Sequence, residues 1–237
     1  MSSKIESGLG AKIKQAQDLL VIVSQFEDYN PPRVEDQIPA FTTLVQQIVS
    51  VNTSIAQFSE NYRISVDARR NEYTENEFSL IKLLSPICNA VEAQYGKDSK
   101  QTKLVREIAR QLRSYRPNKT NPNPETLVAS KTVSKSEMSF GSMVQKFRNI
   151  VDTVSQYGDY APQKAELQLA NLQAKAEALV ALNNDVLTKL QTLKTAQFNR
   201  TELYADLKQR GLRIKSYIRA NYGNKSQEYQ LVKIIKF

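Results

Sequence analysis

Histidine and tryptophan are absent from this chain of 237 residues, and cysteine occurs once, as Cys88. Without histidine the sequence lacks the commonest general base and the commonest protein ligand of transition metals. A single cysteine excludes an intramolecular disulfide and gives no sign of an oxidising compartment. We therefore expect no catalytic residues, no metal site and no cofactor, in a cytoplasmic protein that is not an enzyme.

Glycine and proline are scarce as well, with seven and eight residues. Because turns depend on these two residue types, long helices fit the composition better than a sheet of many strands. Hydrophobic residues make up 41% of the chain, which is enough for a packed core. The apolar run at residues 19–23 is too short for a membrane span or for a signal peptide. These features predict an all-α protein without a membrane span.

The sequence does contain an internal repeat. Residues 24–31 (Ser-Gln-Phe-Glu-Asp-Tyr-Asn-Pro) align with residues 155–162 (Ser-Gln-Tyr-Gly-Asp-Tyr-Ala-Pro), 131 positions later. A second block, Tyr-Gly-x-x-Ser followed by Leu-Val-x-x-Ile, occurs at residues 95–108 and again at residues 222–235, 127 positions later. Two blocks in the same order predict a duplicated structural unit. The change of offset indicates that the two copies differ in length by four residues between the blocks.

The duplication predicts a first helical copy at residues 1–113, a linker at residues 114–134 and a second helical copy at residues 135–237. The linker holds three prolines and several asparagine, threonine and serine residues, a composition typical of a solvated connection. We expect four helices in each copy. The sequence leaves open whether the copies form separate bundles or exchange helices into one elongated body.

The second predicted helix of each copy has the clearest periodicity. Apolar residues alternate at spacings of three and four over residues 38–62 and 169–193, which is a heptad pattern and predicts lengthwise packing against neighbouring helices. One asparagine interrupts each pattern at the same position, Asn52 or Asn183. A buried asparagine in a heptad fixes register or oligomeric state, so both are candidate register or interface residues. The alternative is local bonding to the backbone at a wet edge.

Local signals predict where the helices begin and end. Pro31 and Pro162 are each expected to open the second helix, because the missing N–H of proline would have no helical partner there. Gly96 and Gly223 are expected to end a third helix in a left-handed conformation. The serine three residues after each glycine is expected to cap a short fourth helix.

Basic residues concentrate at the end of each copy. Residues 97–135 hold ten basic and three acidic residues, a net charge of +7, and residues 197–237 hold nine and three, a net charge of +6; the whole chain carries +9. A basic helix face binds phosphates, an anionic lipid surface or an acidic protein. The alternative is a solvated face that keeps the protein in solution. The candidate polyanion-binding residues are Lys100, Lys103, Arg106, Arg110, Arg113, Arg213, Arg219 and Lys233.

The block at residues 95–108 and 222–235 resembles the repeat ending of uncharacterised bacterial tandem helical-bundle proteins. Arg-Thr-Glu-Leu-Tyr at residues 200–204 is similar to a motif of the same family. The resemblance covers most of the chain and implies a helical-bundle fold, but no activity, because the family has no established one. The first copy departs from the pattern, with Tyr-Thr-Glu-Asn-Glu at residues 73–77.

Two functions remain open on the sequence. The first is a non-catalytic structural or interaction protein made of helical bundles, whose partner is a second copy of the chain or another protein. The second is non-specific binding of nucleic acid or another polyanion through the basic helix faces. Sequence-specific reading of nucleic acid is not expected, since the chain has no helix-turn-helix spacing, zinc finger or aromatic RNA-binding motif.

Overall fold

The computed structural model describes the backbone of residues 4–114 and 135–237 and the side chains of residues 8–113 and 140–237. Over these ranges the chain forms helices and turns and no strand, which confirms the all-α prediction. Residues 115–134, nearly all of the predicted linker, lie outside the described residues. The α-helices are α1 (Lys4–Val23), α2 (Ile38–Arg70), α3 (Leu80–Tyr95), α4 (Lys100–Ser114), α5 (Lys135–Ser155), α6 (Leu169–Tyr222) and α7 (Gln227–Lys233).

The chain enters α2 and α6 in the same way. A short 3₁₀ turn, Val34–Asp36 or Ala165–Leu167, comes immediately before each helix. Pro31 and Pro162 therefore lie ahead of the 3₁₀ turn, and the prediction that they open the α-helix is wrong. Proline still suits these positions, because its fixed φ is compatible with a segment that leads into a turn.

A tyrosine fastens each of these entry segments. The Tyr29 hydroxyl donates to the backbone carbonyl of Asp36 at 2.7 Å, and the Tyr160 hydroxyl donates to that of Leu167 at 2.9 Å. Each bond gives the last carbonyl of the 3₁₀ turn a hydrogen-bond partner, and the α-helix begins two residues beyond it. The Asp-Tyr pair that recurs in the sequence is thus part of the helix entry.

The two predicted copies differ where a third helix is expected from the sequence. In the second copy α6 runs without a break from Leu169 to Tyr222, so the prediction of a separate third helix there is wrong. In the first copy α2 ends at Arg70, a π-helical turn follows at Asn71–Glu75, and α3 begins at Leu80. Sequence correspondence places the four extra residues of the first copy at this break. Four residues inserted into a continuous helix would rotate the following apolar stripe by about 40°.

The predicted caps are confirmed. Gly96 and Gly223 have φ angles of 83° and 97°, in the left-handed region that glycine enters without a steric penalty. The Ser226 side chain accepts a hydrogen bond from the backbone N–H of Tyr229 at 3.1 Å, as expected for an N-cap of α7. Ser99 accepts the equivalent bond at the start of α4.

The helices belong to two compact units. The terminal unit consists of residues 1–58 and 193–237, and the central unit of residues 59–192. The boundary between them falls inside α2 and again inside α6, so each unit contains residues of both predicted copies. Among the described helices, none has the length and the apolar content needed to cross a membrane.

Each unit has its own hydrophobic core. In the terminal unit α1, the first part of α2, the last part of α6 and α7 bury residues such as Leu19, Phe41 and Ile218. In the central unit α3, α4, α5 and the first part of α6 bury residues such as Phe147 and Leu172. The heptad positions of α2 and α6 contribute to these cores, so their apolar side chains are used within the chain.

Candidate functional site

A buried polar relay crosses the core of the terminal unit. The Asn52 side-chain amide in α2 donates to the Tyr204 hydroxyl in α6 at 3.0 Å. That hydroxyl donates to the backbone carbonyl of Leu9 in α1 at 3.2 Å. Tyr204 is only 6% exposed. The relay therefore fixes the positions of three helices relative to one another through one phenol group.

The central unit contains the same relay. The Asn183 side-chain amide in α6 donates to the Tyr73 hydroxyl at 2.8 Å. This hydroxyl lies within hydrogen-bond distance of two backbone carbonyls, that of Phe140 in α5 at 3.3 Å and that of Leu179 in α6 at 3.4 Å. Tyr73 is fully buried, and its ring meets the Phe140 ring edge to face at 4.7 Å.

The two relays connect residues that correspond in the predicted repeat, with the predicted copies exchanged. The corresponding pairs, each separated by 131 positions, are Asn52 and Asn183, Tyr73 and Tyr204, and Leu9 and Phe140. In each relay the asparagine of one predicted copy donates to the tyrosine of the other. Sequence reasoning found the asparagines and missed the tyrosines, although their common offset was a usable signal.

An aromatic contact repeats in the same exchanged manner. Phe26 packs against Tyr222 in the terminal unit, with ring centroids 5.5 Å apart. Tyr157 packs against Tyr95 in the central unit at 5.4 Å. Each contact joins the aromatic residue after one recurring Ser-Gln pair to the tyrosine before the capping glycine of the other copy. The tyrosines of the repeat blocks are therefore used in core packing.

A nearly buried ion pair distinguishes the terminal unit. Both carboxylate oxygens of Asp36 accept from the Arg213 guanidinium, at 2.7 and 2.8 Å. Asp36 is 4% exposed. The side-chain hydrogen bond to Asp36 raises the pKa of Arg213. At the corresponding positions of the central unit the sequence has Leu167 and Pro86, which cannot form such a pair.

The central unit has a different ion pair. The Lys175 ammonium in α6 pairs with the Glu72 carboxylate of the π-helical turn. At the corresponding positions of the terminal unit the sequence has Leu44 and Leu203, which belong to its hydrophobic cluster. The two units thus share the asparagine–tyrosine relay and differ in their charges.

The basic residues predicted on α4 divide into two groups. Arg106 forms an ion pair with Glu92 of α3, and Arg113 donates to the Ser85 hydroxyl of α3 at 2.6 Å. These two arginines stabilise the packing of α4 on α3, which limits their use for an external ligand. Their roles could not be read from the helical spacing, because Glu92 and Ser85 lie on another helix.

All five basic residues are exposed on α4, and Lys100, Lys103 and Arg110 are those not named above in a contact with α3. The Lys103 ammonium lies 3.9 Å from a carboxylate oxygen of Asp98, and a surface ion pair of this kind contributes little to the free energy of folding. Glu107 is also exposed on α4 and lowers the net charge of the helix surface. We call Lys100, Lys103 and Arg110 the α4 basic face.

The basic residues predicted in the second copy do not form a single face. Arg213 is held by Asp36. Arg219 places its guanidinium 5.9 Å from the centroid of the Tyr229 ring, and Lys233 is exposed at the end of α7. A cation–π contact of this length leaves the Arg219 charge accessible, so Arg219 and Lys233 remain candidates as separate charges.

The relay tyrosine of the central unit links stability to pH. Burial raises the pKa of Tyr73 from 10.0 to about 12, so the folded protein keeps this phenol neutral where the unfolded chain would ionise it. The stabilisation is complete below about pH 10 and is lost as the pH rises towards about 12. We expect the melting temperature to fall over this interval.

Thermal unfolding followed by circular dichroism at a series of pH values checks this expectation. Burial also raises the pKa of Tyr160 to about 12. In the Tyr73→Phe variant the melting temperature should therefore still fall with pH, but less steeply than in the wild type. A wild-type melting temperature that stays constant above about pH 10 would contradict the prediction.

The described residues hold no group of three or more histidine, cysteine or carboxylate side chains arranged to bind a metal ion. Cys88 is buried, and burial raises the pKa of its thiol, which disfavours the reactive thiolate. Comparisons of the chain with protein families, with curated proteins and with solved structures found no match.

Proposed function

We propose that this chain is a non-catalytic structural or interaction protein, formed by two copies of a helical unit and assembling with a second copy of the chain. The asparagine–tyrosine relays carry the proposal. Both relays use buried polar groups to join one copy to the other. The buried asparagine and tyrosine side chains of the two cores therefore serve to pair helices.

The unsatisfied acceptors of the relays support the same function. The Oδ1 atoms of Asn52 and Asn183 are buried and have no hydrogen-bond partner among the described residues. An unsatisfied buried acceptor costs about 1–3 kcal/mol. Asparagines at these positions lower the stability that apolar residues would provide, and their benefit is a defined register between the paired helices.

An apolar position repeated on the surface supports assembly. Leu104 in α4 and Leu231 in α7 occupy corresponding positions in the last helix of the two copies and are 48% and 44% exposed. Ile234, next to the end of α7, is 76% exposed. Exposed leucines at the same position in both copies are suited to contact with a second chain, since burial of this apolar surface would favour association.

Light scattering coupled to gel filtration tests the proposed assembly. At micromolar concentrations we expect a mass well above the 26.9 kDa of one chain. The Leu104→Gln, Leu231→Gln variant should return towards that mass, because it removes the repeated apolar contact. Replacing Ile64 and Leu187 by glutamine, at exposed aliphatic positions elsewhere, provides a matched control that should keep the wild-type mass. A wild-type monomer over the whole concentration range would refute self-assembly.

The α4 basic face favours a second function, non-specific binding of nucleic acid or another polyanion. Three cations exposed on one side of a helix can contact successive phosphates, and each contact releases counterions from the polyanion. Arg106 and Arg113 are tied to α3 and are expected to contribute less.

Fluorescence anisotropy with labelled duplex and single-stranded DNA at roughly 50 and 200 mM salt tests this second function. Substitution of Lys100, Lys103 and Arg110 by glutamine should weaken binding and reduce the slope of log affinity against log salt by up to about 3. The same charge change at the dispersed residues Lys14, Lys194 and Lys208 is the control. Equal slopes for the two variants would remove the α4 basic face from the hypothesis.

A further inference from the structure

Each copy carries both sides of the surface that joins it to the other copy. The first copy contains Asn52, which donates in one relay, and Tyr73, which accepts in the other. It also contains both aromatic types, Phe26 and Tyr95. If the duplication proposed above is correct, the shared contacts alone would let a copy pair with its like from another chain as readily as with its neighbour.

The ion pairs would make the pairing of two first copies less favourable than the pairing of a first copy with a second copy. Pairing between two first copies would put Asp36 opposite Pro86, because Pro86 corresponds to Arg213. It would also put Glu72 opposite Leu44, which corresponds to Lys175. Two carboxylates would then face apolar residues, and Asp36 would be buried without the cation that it has in the structure.

Pairing between two second copies would be unfavourable because the basic side chains would lose their carboxylate partners. Arg213 would face Leu167, which corresponds to Asp36, and Lys175 would face Leu203, which corresponds to Glu72. The side chain of Lys175 is only 17% exposed in the structure, so its ammonium would have little water to replace the lost carboxylate. Pairing of unlike copies is the arrangement that matches every one of these charges.

We propose that the Asp36–Arg213 and Glu72–Lys175 ion pairs determine which copies bind, so that a first copy takes a second copy as its partner and rejects another first copy. The asparagine–tyrosine relay and the aromatic pair supply a common interface, and the charges supply its selectivity. Discrimination of this kind works through the unpaired charge that the wrong partner would leave, more than through extra affinity for the right one. The rule applies to partners from the same chain or from a second chain.

The experiment begins with the whole folded chain of 237 residues, into which a site for a specific protease is inserted within residues 115–134. After cleavage the two fragments are unfolded in guanidinium chloride, refolded together by dilution and weighed by native mass spectrometry. For the wild type we expect complexes of one first and one second copy to exceed about nine-tenths of all pairs. Random pairing would make them about half, so selectivity is read directly from this fraction.

Two sets of variants then test the ion pairs. Replacing Asp36, Arg213, Glu72 and Lys175 together by leucine should move the fraction of unlike pairs towards one half. The single change Glu72→Lys should also lower it, because the introduced ammonium would face Lys175 in the unlike pair and a leucine in the like pair. The reversed pair, Glu72→Lys with Lys175→Glu, should restore the wild-type fraction, and this second set decides the question if the four-leucine variant fails to refold.

Three results would overturn the proposal: wild-type fragments that do not stay together, wild-type fragments that pair at random, or variants that keep the wild-type fraction. The mass of the uncleaved protein is measured first. A monomeric mass there would contradict self-assembly through the exposed leucines and would leave the pairing measurement intact, so the two failures are distinguishable.

Discussion

Replacing Arg213 by alanine is expected to lower the free energy of unfolding by about 3–5 kcal/mol, the range found when one partner of a buried ion pair is removed. Asp36 accepts from Arg213 through both carboxylate oxygens and is 4% exposed. Without the guanidinium its charge would stay in a site with little water. Denaturant unfolding followed by circular dichroism measures the change.

Arg63 provides the matched control for this substitution. It also pairs with two carboxylates, those of Glu60 and Asp67, but all three side chains are more than half exposed. Ion pairs between exposed side chains contribute little free energy, so Arg63→Ala should have a small effect. Similar losses for Arg63→Ala and Arg213→Ala would show that the burial of Asp36 does not decide the free energy of its ion pair.

Replacing Tyr73 by alanine should lower the free energy of unfolding by about 3–5 kcal/mol, as expected for a large aromatic side chain removed from a packed core. Tyr73 is fully buried, packs edge to face on Phe140 and accepts from Asn183. Tyr73→Phe keeps the ring and removes the hydroxyl, so it isolates the relay. Its expected loss is smaller, about 1–3 kcal/mol, because the Asn183 amide would lose its acceptor.

A double-mutant cycle makes this prediction specific to the relay. The losses for Tyr73→Phe and Asn183→Ala should not add, because either change breaks the same hydrogen bond. Tyr73→Phe and Asn52→Ala lie in different relays, and their losses should add. Additive losses in both cycles would show that the hydrogen bond between Asn183 and Tyr73 contributes no coupling free energy.

Local features of the fold were predictable from sequence because neighbouring residues determine them. The shortage of glycine and proline indicated helices, and the left-handed conformations of Gly96 and Gly223 follow from the rule that glycine ends helices. Failures were local too. A helix start at Pro31 is wrong because its sequence neighbourhood does not reveal the 3₁₀ turn at Val34–Asp36, whose last carbonyl accepts from the Tyr29 hydroxyl.

The sequence by itself determined the helical class, the heptad stripes and the positions of Asn52 and Asn183, because these depend on composition and on spacing along one helix. Only the tertiary structure decided what those side chains contact. Tyr204 lies 152 positions from Asn52, and Arg213 lies 177 positions from Asp36. Helical periodicity tells which face of a helix is buried and carries no information about the helix that covers it. The contacts between the predicted copies, and the charges that distinguish them, are therefore seen only in the folded chain.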